Sequence, residues 1–125
     1  MRRPRRCGWF DAVATGYAQL VNGFDELAVT NLDGLDSLPE IKVCVAYEAN
    51  GVRYDYPPYH QSVLHEVTPV YEVLPGWNTD ITESTEYAQL PAAAKSYVKF
   101  LEQTTGVTIS VVGVGPGREQ FVRPS

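Results

Sequence analysis

At 125 residues with 44% hydrophobic content, the chain is sized for one globular domain or a piece of a larger one. A net charge of −5 argues against general nucleic-acid binding, which leaves a basic footprint, and no apolar run approaches the ~18 residues a membrane helix needs. Two cysteines, Cys7 and Cys44, are too few and too unpatterned for a disulfide framework or a zinc site, so a reduced, cytoplasmic setting is expected.

The positive charge is concentrated at the start, where Arg2, Arg3, Arg5 and Arg6 cluster. Such a cluster reads either as a solvated terminus or as arginines poised to clamp phosphates or carboxylates bidentately. It is not expected to be a secretory signal, because Asp11 interrupts the apolar stretch that would have to follow. Residues 10–22 read as a helix capped by Asp11 and stopped at Asn22-Gly23, with Phe10, Val13, Tyr17, Leu20 and Val21 on one face. Phe24 to Thr30 reads as a short strand, followed by a helical turn between Leu32 and Leu38. Ile41 to Tyr47 is strongly β and leads to Asn50-Gly51, a strong hairpin signal. Residues 56–68, with Pro57 and Pro58, read as an irregular excursion, and Val70 to Leu74 as a strand closed by Pro75-Gly76. Pro91 suits the first turn of a helix presenting Ala94, Tyr97, Val98 and Leu101 on one face and ending at Gly106. Val107 to Val112 is the last strand. A strand, a helix and another strand in that order predict a right-handed crossover and a parallel pair, and ligands in such sheets sit at the carboxyl ends of strands.

Two segments fall at such ends: Val29-Thr30-Asn31-Leu32-Asp33 and Val112-Gly113-Val114-Gly115-Pro116-Gly117-Arg118. Asp33 alone reads either as a cap or turn residue or as a base reader, and the glycines either as a tight connection or as a ligand loop. A carboxylate at a strand end can accept both the ring N–H and the exocyclic amine of guanine. Adenine lacks that donor pair and would leave a buried charge unpaired, which is a mechanism for choosing GTP over ATP. His60 and His65 have no partners at metal-ligand spacing, Tyr56 and Tyr59 read as packing, and no Ser/His/Asp or Cys/His arrangement stands out.

Further ordered segments join these two. Arg3-Pro4-Arg5-Arg6-Cys7-Gly8-Trp9-Phe10-Asp11 is similar to an Arg-Pro-Arg-Arg-x-Gly-Trp-x-Asp motif, and Thr30 to Asp36 to Thr-Lys-Leu-Asp-Val-Leu-Asp. Ile41 to Tyr47, Pro69 to Trp77, the helix from Leu90 to Gly106 and Gly113 to Arg118 follow in order. Together they resemble the C-terminal part of the adenylosuccinate synthetase family. The resemblance implies a ligase of purine (AMP) biosynthesis that joins IMP and L-aspartate using GTP and magnesium. The IMP 6-oxygen is phosphorylated and then displaced by the aspartate amine. The implied fold is α/β: the C-terminal part of a mainly parallel sheet with flanking helices and a β-hairpin excursion, an incomplete P-loop-NTPase-like synthetase. The full enzyme is expected to be a homodimer, with neither nucleic acid nor membrane as a partner.

By the same resemblance, Arg3 contacts IMP and the aspartate region, Arg5 reaches substrate and GTP, and Asn31, Leu32, Asp33, Gly113, Val114 and Gly115 hold the guanine. Asn31 stands where the family usually has lysine, and Gly34 where it has a branched residue; a shorter uncharged side chain and a looser turn should both affect guanine affinity. The family's Gly-Asp-Glu-Gly-Lys-Gly-Lys loop, catalytic aspartate and catalytic histidine have no match here. Residues 1–125 are therefore expected to be a C-terminal fragment, inactive alone, with no catalytic residue or metal ligand of its own and magnesium held by the N-terminal part. The alternative is a non-catalytic remnant or a subunit that binds a separate N-terminal chain; a third reading is an anion-binding protein using the arginine arm.

Overall fold

The computed structural model describes residues 9–23, 26–55 and 67–124. The arginine cluster with Arg3 and Arg5, and the excursion with Tyr56, Tyr59, His60 and His65, lie outside the described residues.

The first strand, β1 (Phe10–Asp11), pairs in parallel with a later strand, Phe10 opposite Val43 and Asp11 opposite Cys44. The first helix, α1, therefore spans Ala12–Asn22 rather than starting at residue 10. Asp11 still caps it, its Oδ1 accepting the Ala14 N–H at 3.0 Å, and Gly23 ends it at φ 68°. The buried face differs from the expected one. Ala12 and Val13 are buried, but Tyr17 and Val21 are 45% and 63% exposed. Gly16 lies against the backbone of Thr105, so this helix docks through Ala12, Val13 and Gly16 while Tyr17 and Val21 face outward.

Next come β2 (Glu26–Val29), a 3-10 turn (Leu32–Leu35), β3 (Glu40–Ala49) and β4 (Val52–Tyr54). Asn50 and Gly51 both have positive φ, 52° and 79°, the primed turn that an Asn-Gly hairpin adopts. Thr68–Pro75 forms β5, and Ala92–Thr105 forms α2, preceded by Pro91 and closed by Gly106 at φ 73°. The residues expected on its inner face, Ala94, Tyr97, Val98 and Leu101, are all buried. Thr108–Gly113 is β6 and Phe121–Val122 is β7.

The sheets are mixed, not mainly parallel. In one, β3 pairs in parallel with β1 and antiparallel with β4 and β5; in the other, β6 pairs in parallel with β2 and antiparallel with β7. The two-residue turn at Asn50-Gly51 can only return the chain antiparallel. The crossover through α2 also ends elsewhere than chain order suggests: β5, the strand before the helix, lies antiparallel on β3, and the parallel partner of β6 is β2. Which earlier strand a crossover returns to depends on long-range packing, which local periodicity does not encode.

One core joins the two sheets and α2, drawing on Ile41 and Val43 of β3, Val98 and Leu101 of α2, and Ile109 and Val112 of β6. It also takes Leu32 from the 3-10 turn, which is 1% exposed. Burying that side chain contributes roughly 1.5–3 kcal/mol, enough to pin the turn to the body of the molecule.

Candidate nucleotide-base site

The site is built on the parallel pair β2 and β6, where Val29 lies opposite Val112. Parallel strands end on the same side, so Thr30-Asn31 and Gly113-Val114 leave the sheet together. They touch: a Cβ placed on Gly113 would come within 3.3 Å of Thr30 Cα and 3.5 Å of the Asn31 nitrogen. Glycine at 113 is thus matched to a close approach of two backbones.

Asn31 reverses the chain at φ 58°, in the left-handed region that asparagine tolerates better than lysine does. Asn31 therefore suits its backbone conformation, whatever its side chain loses relative to lysine. The turn that follows is tied rather than loose. Gly34 N–H donates to Asn31 O at 3.0 Å, Asp36 N–H to Asp33 O at 3.1 Å and Leu38 N–H to Leu35 O at 3.1 Å. Gly34 has open space around it and no positive φ, so its lack of a side chain does not undo the turn.

Asp33 projects from this turn with its Oδ1 buried and without a hydrogen-bond partner, the only such side-chain atom among the described residues. A buried carboxylate oxygen left unpaired is costly, and each one in a folded protein asks for a donor. Beside it lies a polar cleft of about 430 Å³ lined by Asp33, Asp36, Ser37, Asn78, Thr79, Asp80 and Thr82. A second cavity, of about 200 Å³, is lined by Trp9, Phe10, Thr30, Asn31 and Leu32, among others. The segment that emerges from the arginine cluster therefore meets the Asn31 turn. A larger cavity of about 630 Å³, lined by Tyr87, Lys95, Phe121 and Arg123 among others, holds no orphaned buried polar atom.

The residues singled out from sequence fall into two kinds. Asn31 and Gly113 meet at the junction, Asp33 lines the polar cleft and Gly115 packs on Gln120, whereas Leu32 and Val114 are core residues, 1% and 0% exposed. The Val114 N–H is already engaged, donating to Gln120 O at 2.8 Å. Gly115 and Gly117 are packed over Gln120: a Cβ on either would meet its side chain, at 2.4 Å and 2.8 Å.

Several residues of the site were not legible in sequence. Asp36 accepts from the Trp77 indole N–H at 2.6 Å and from the Ile81 N–H at 3.1 Å. Gln120 accepts from the Gly117 N–H at 2.8 Å and donates to Thr82 O at 3.1 Å. Only the spacing of Asp36 three residues after Asp33, and the Pro75-Gly76-Trp77 turn, hinted at the first pair. At the start of α1, the Tyr47 hydroxyl donates to Asp11 Oδ2. Burial, that hydrogen bond and the Asp11 charge push the Tyr47 pKa up. Burial, then the Asp11 charge, likewise raises that of Cys44, whose thiol donates to Ala46 O at 3.4 Å. Among the described residues, no group of three or more His, Cys, Asp or Glu side chains could hold a metal ion.

The family model for adenylosuccinate synthetase matches residues 1–122. The adenylosuccinate synthetase of Streptomyces coelicolor is 51% identical over 120 residues, and that of Corynebacterium urealyticum 48%; each alignment covers 96% of this chain and 28% of the relative. The chain thus spans about 28% of the length of the curated relatives it matches. Among solved structures, fully ligated adenylosuccinate synthetase from Plasmodium falciparum superposes with a TM-score of 0.91 at 35% identity, over 98% of this chain and 30% of that one. With the family model matching nearly the whole chain and the backbone superposing this closely, the chain belongs to the adenylosuccinate synthetase family.

Proposed function

We propose that this chain supplies the guanine-binding side of a GTP-dependent ligase that joins IMP and L-aspartate into adenylosuccinate. The observation that carries the reading is the orphaned, buried Oδ1 of Asp33, in the turn that follows the contact of Thr30 and Asn31 with Gly113. A carboxylate there accepts the guanine ring N–H and exocyclic amine together. Adenine would leave it buried and unpaired, a penalty of roughly 1–3 kcal/mol or more. Asn31 and Leu32 set the direction of Asp33 through backbone and core, and Gly113, Val114 and Gly115 form the facing wall.

Arg3 and Arg5 are assigned to IMP and aspartate, Arg5 also to GTP. The cavity that Trp9 and Phe10 share with Thr30 and Asn31 supports that assignment, because these two residues follow the arginines closely in the chain. Residues 1–125 correspond in this reading to the C-terminal portion of a P-loop-NTPase-like synthetase, homodimeric and cytoplasmic. The phosphate loop and magnesium site belong to the N-terminal portion, so phosphoryl transfer is not assigned to these residues. Titration of the chain with GDP and ADP, followed by ¹⁵N NMR, tests the base assignment. GDP should shift the amides of Gly34, Gly113 and Gly115, and equal response to ADP would overturn it.

A further inference from the structure

The two walls of the proposed base site stand on strands β2 and β6, whose parallel pairing runs to Val29 and Val112. Beyond the contact of Gly113 with Thr30, a run of side-chain hydrogen bonds through the 77–82 loop links them. On one side, the Asp36 carboxylate holds the Trp77 indole at 2.6 Å and the Ile81 N–H at 3.1 Å, fixing the loop to the turn that carries Asp33. The loop is braced internally: Thr82 donates its N–H and its hydroxyl to Asp80 Oδ1 at 2.8 Å and 2.6 Å, and Ser84 N–H donates to Ile81 O at 3.0 Å. On the other side, the Gln120 amide donates from Nε2 to Thr82 O and accepts the Gly117 N–H on Oε1. Asp33, Asp36 and Thr82 line one cleft, so this run of bonds spans the space beside the base reader.

We infer that Gln120 is a positioning residue for base recognition, acting with Asp36 to set the gap between the Asp33 turn and the glycine-rich wall. The inference rests on the guanine reading above. The residue type fits the task. A primary amide accepts from a backbone N–H on its oxygen and donates to a backbone carbonyl from its nitrogen at once; an ionised carboxylate of the same size can only accept. The glycines fit as well, since Gly115 and Gly117 leave the space that the Gln120 side chain fills. Held this way, the wall meets a base at a preset distance, with less ordering left for the moment of binding.

Gln120→Glu separates this role from simple packing. It keeps the shape and the acceptor for Gly117 but sets a carboxylate against the Thr82 carbonyl. If the bridge sets the gap, GDP should bind about tenfold more weakly to Gln120→Glu, as loss of one hydrogen bond near a charged site implies. Gln120→Ala should lose a similar factor, and the preference for GDP over xanthosine diphosphate, which Asp33 governs, should stay. Amide exchange in the nucleotide-free chain should quicken at Ile81 as well as at Gly117, since the bridge couples them. Wild-type affinity and unchanged Ile81 exchange in Gln120→Glu would overturn the inference. Failure of the unsubstituted chain to bind GDP would overturn the guanine reading, and the exchange at Ile81 would then decide whether the bridge exists.

Discussion

Gly113 and Thr30 lie so close that a methyl group on Gly113 would stand 3.3 Å from the Thr30 Cα. Residues more than eighty positions apart are thereby brought backbone to backbone at the ends of a parallel strand pair. That contact brings two ordinary-looking segments together, and the turn that carries the unpaired Asp33 oxygen begins next to it in the chain.

Asp33→Asn replaces one carboxylate acceptor by a donor. Guanine nucleotide binding should weaken by about 1–3 kcal/mol, the cost of a mismatched polar group. Xanthine carries a carbonyl where guanine has its amine, so xanthosine nucleotides should bind better to the variant. A parallel loss for both nucleotides in a titration would make Asp33 a structural cap.

The 125-residue chain by itself should make no adenylosuccinate from GTP, IMP, aspartate and magnesium. Supplying the N-terminal portion of a relative should restore turnover. In that assembly Arg3→Ala should then cost about 2 kcal/mol or more in kcat/KM, as loss of one partner of a buried charge pair does. An unchanged rate would return the arginines to the solvated-terminus reading.

Gly76→Ala should be strongly destabilising. A Cβ at Gly76 would stand 1.9 Å from the Leu38 carbonyl oxygen, and the Gly76 N–H is bonded to Pro39 O at 2.9 Å. Overpacking typically costs about 1–3 kcal/mol, and here the obstacle is backbone, so urea unfolding should show a loss at or above that range. A loss below about 1 kcal/mol would mean that β5 and the 38–39 segment separate easily.

Gly34→Ala should act in the opposite sense. The site is open and its φ is not positive, so a methyl group restricts the unfolded chain without strain in the folded one. A gain of about 0.4–1 kcal/mol in the same unfolding experiment is expected, with GDP binding retained. Destabilisation would show that the turn needs glycine after all.

Stability should fall as pH rises above 10. Burial raises the Tyr97 pKa from 10.0 to about 12, and Tyr47 is raised as well by burial and its bond to Asp11. A raised pKa means that the folded state holds the proton more tightly. The contribution is therefore complete below the unfolded value and is lost as pH climbs toward the folded one, at up to ~1.4 kcal/mol per pH unit for Tyr97. Tyr97→Phe should flatten the alkaline limb of the stability profile; an identical slope in the variant would contradict the assignment.

Much of this protein is written locally. The Asn50-Gly51 turn, the buried face of α2 and its Gly106 stop, and the Asp11 cap follow from backbone preferences and period, which act within a few residues. The family, too, was legible, because its motifs are ordered strings of side chains. Tertiary structure decided the rest. It placed β6 beside β2 instead of β5, and it docked α1 through Ala12, Val13 and Gly16 while Tyr17 and Val21 face outward. It also joined Asp36 to Trp77 and Gln120 to Thr82, across 41 and 38 positions. Such pairings are chosen by which surfaces bury each other and which polar groups must then find partners. That competition is settled over the whole molecule, and no window of neighbouring residues records its outcome.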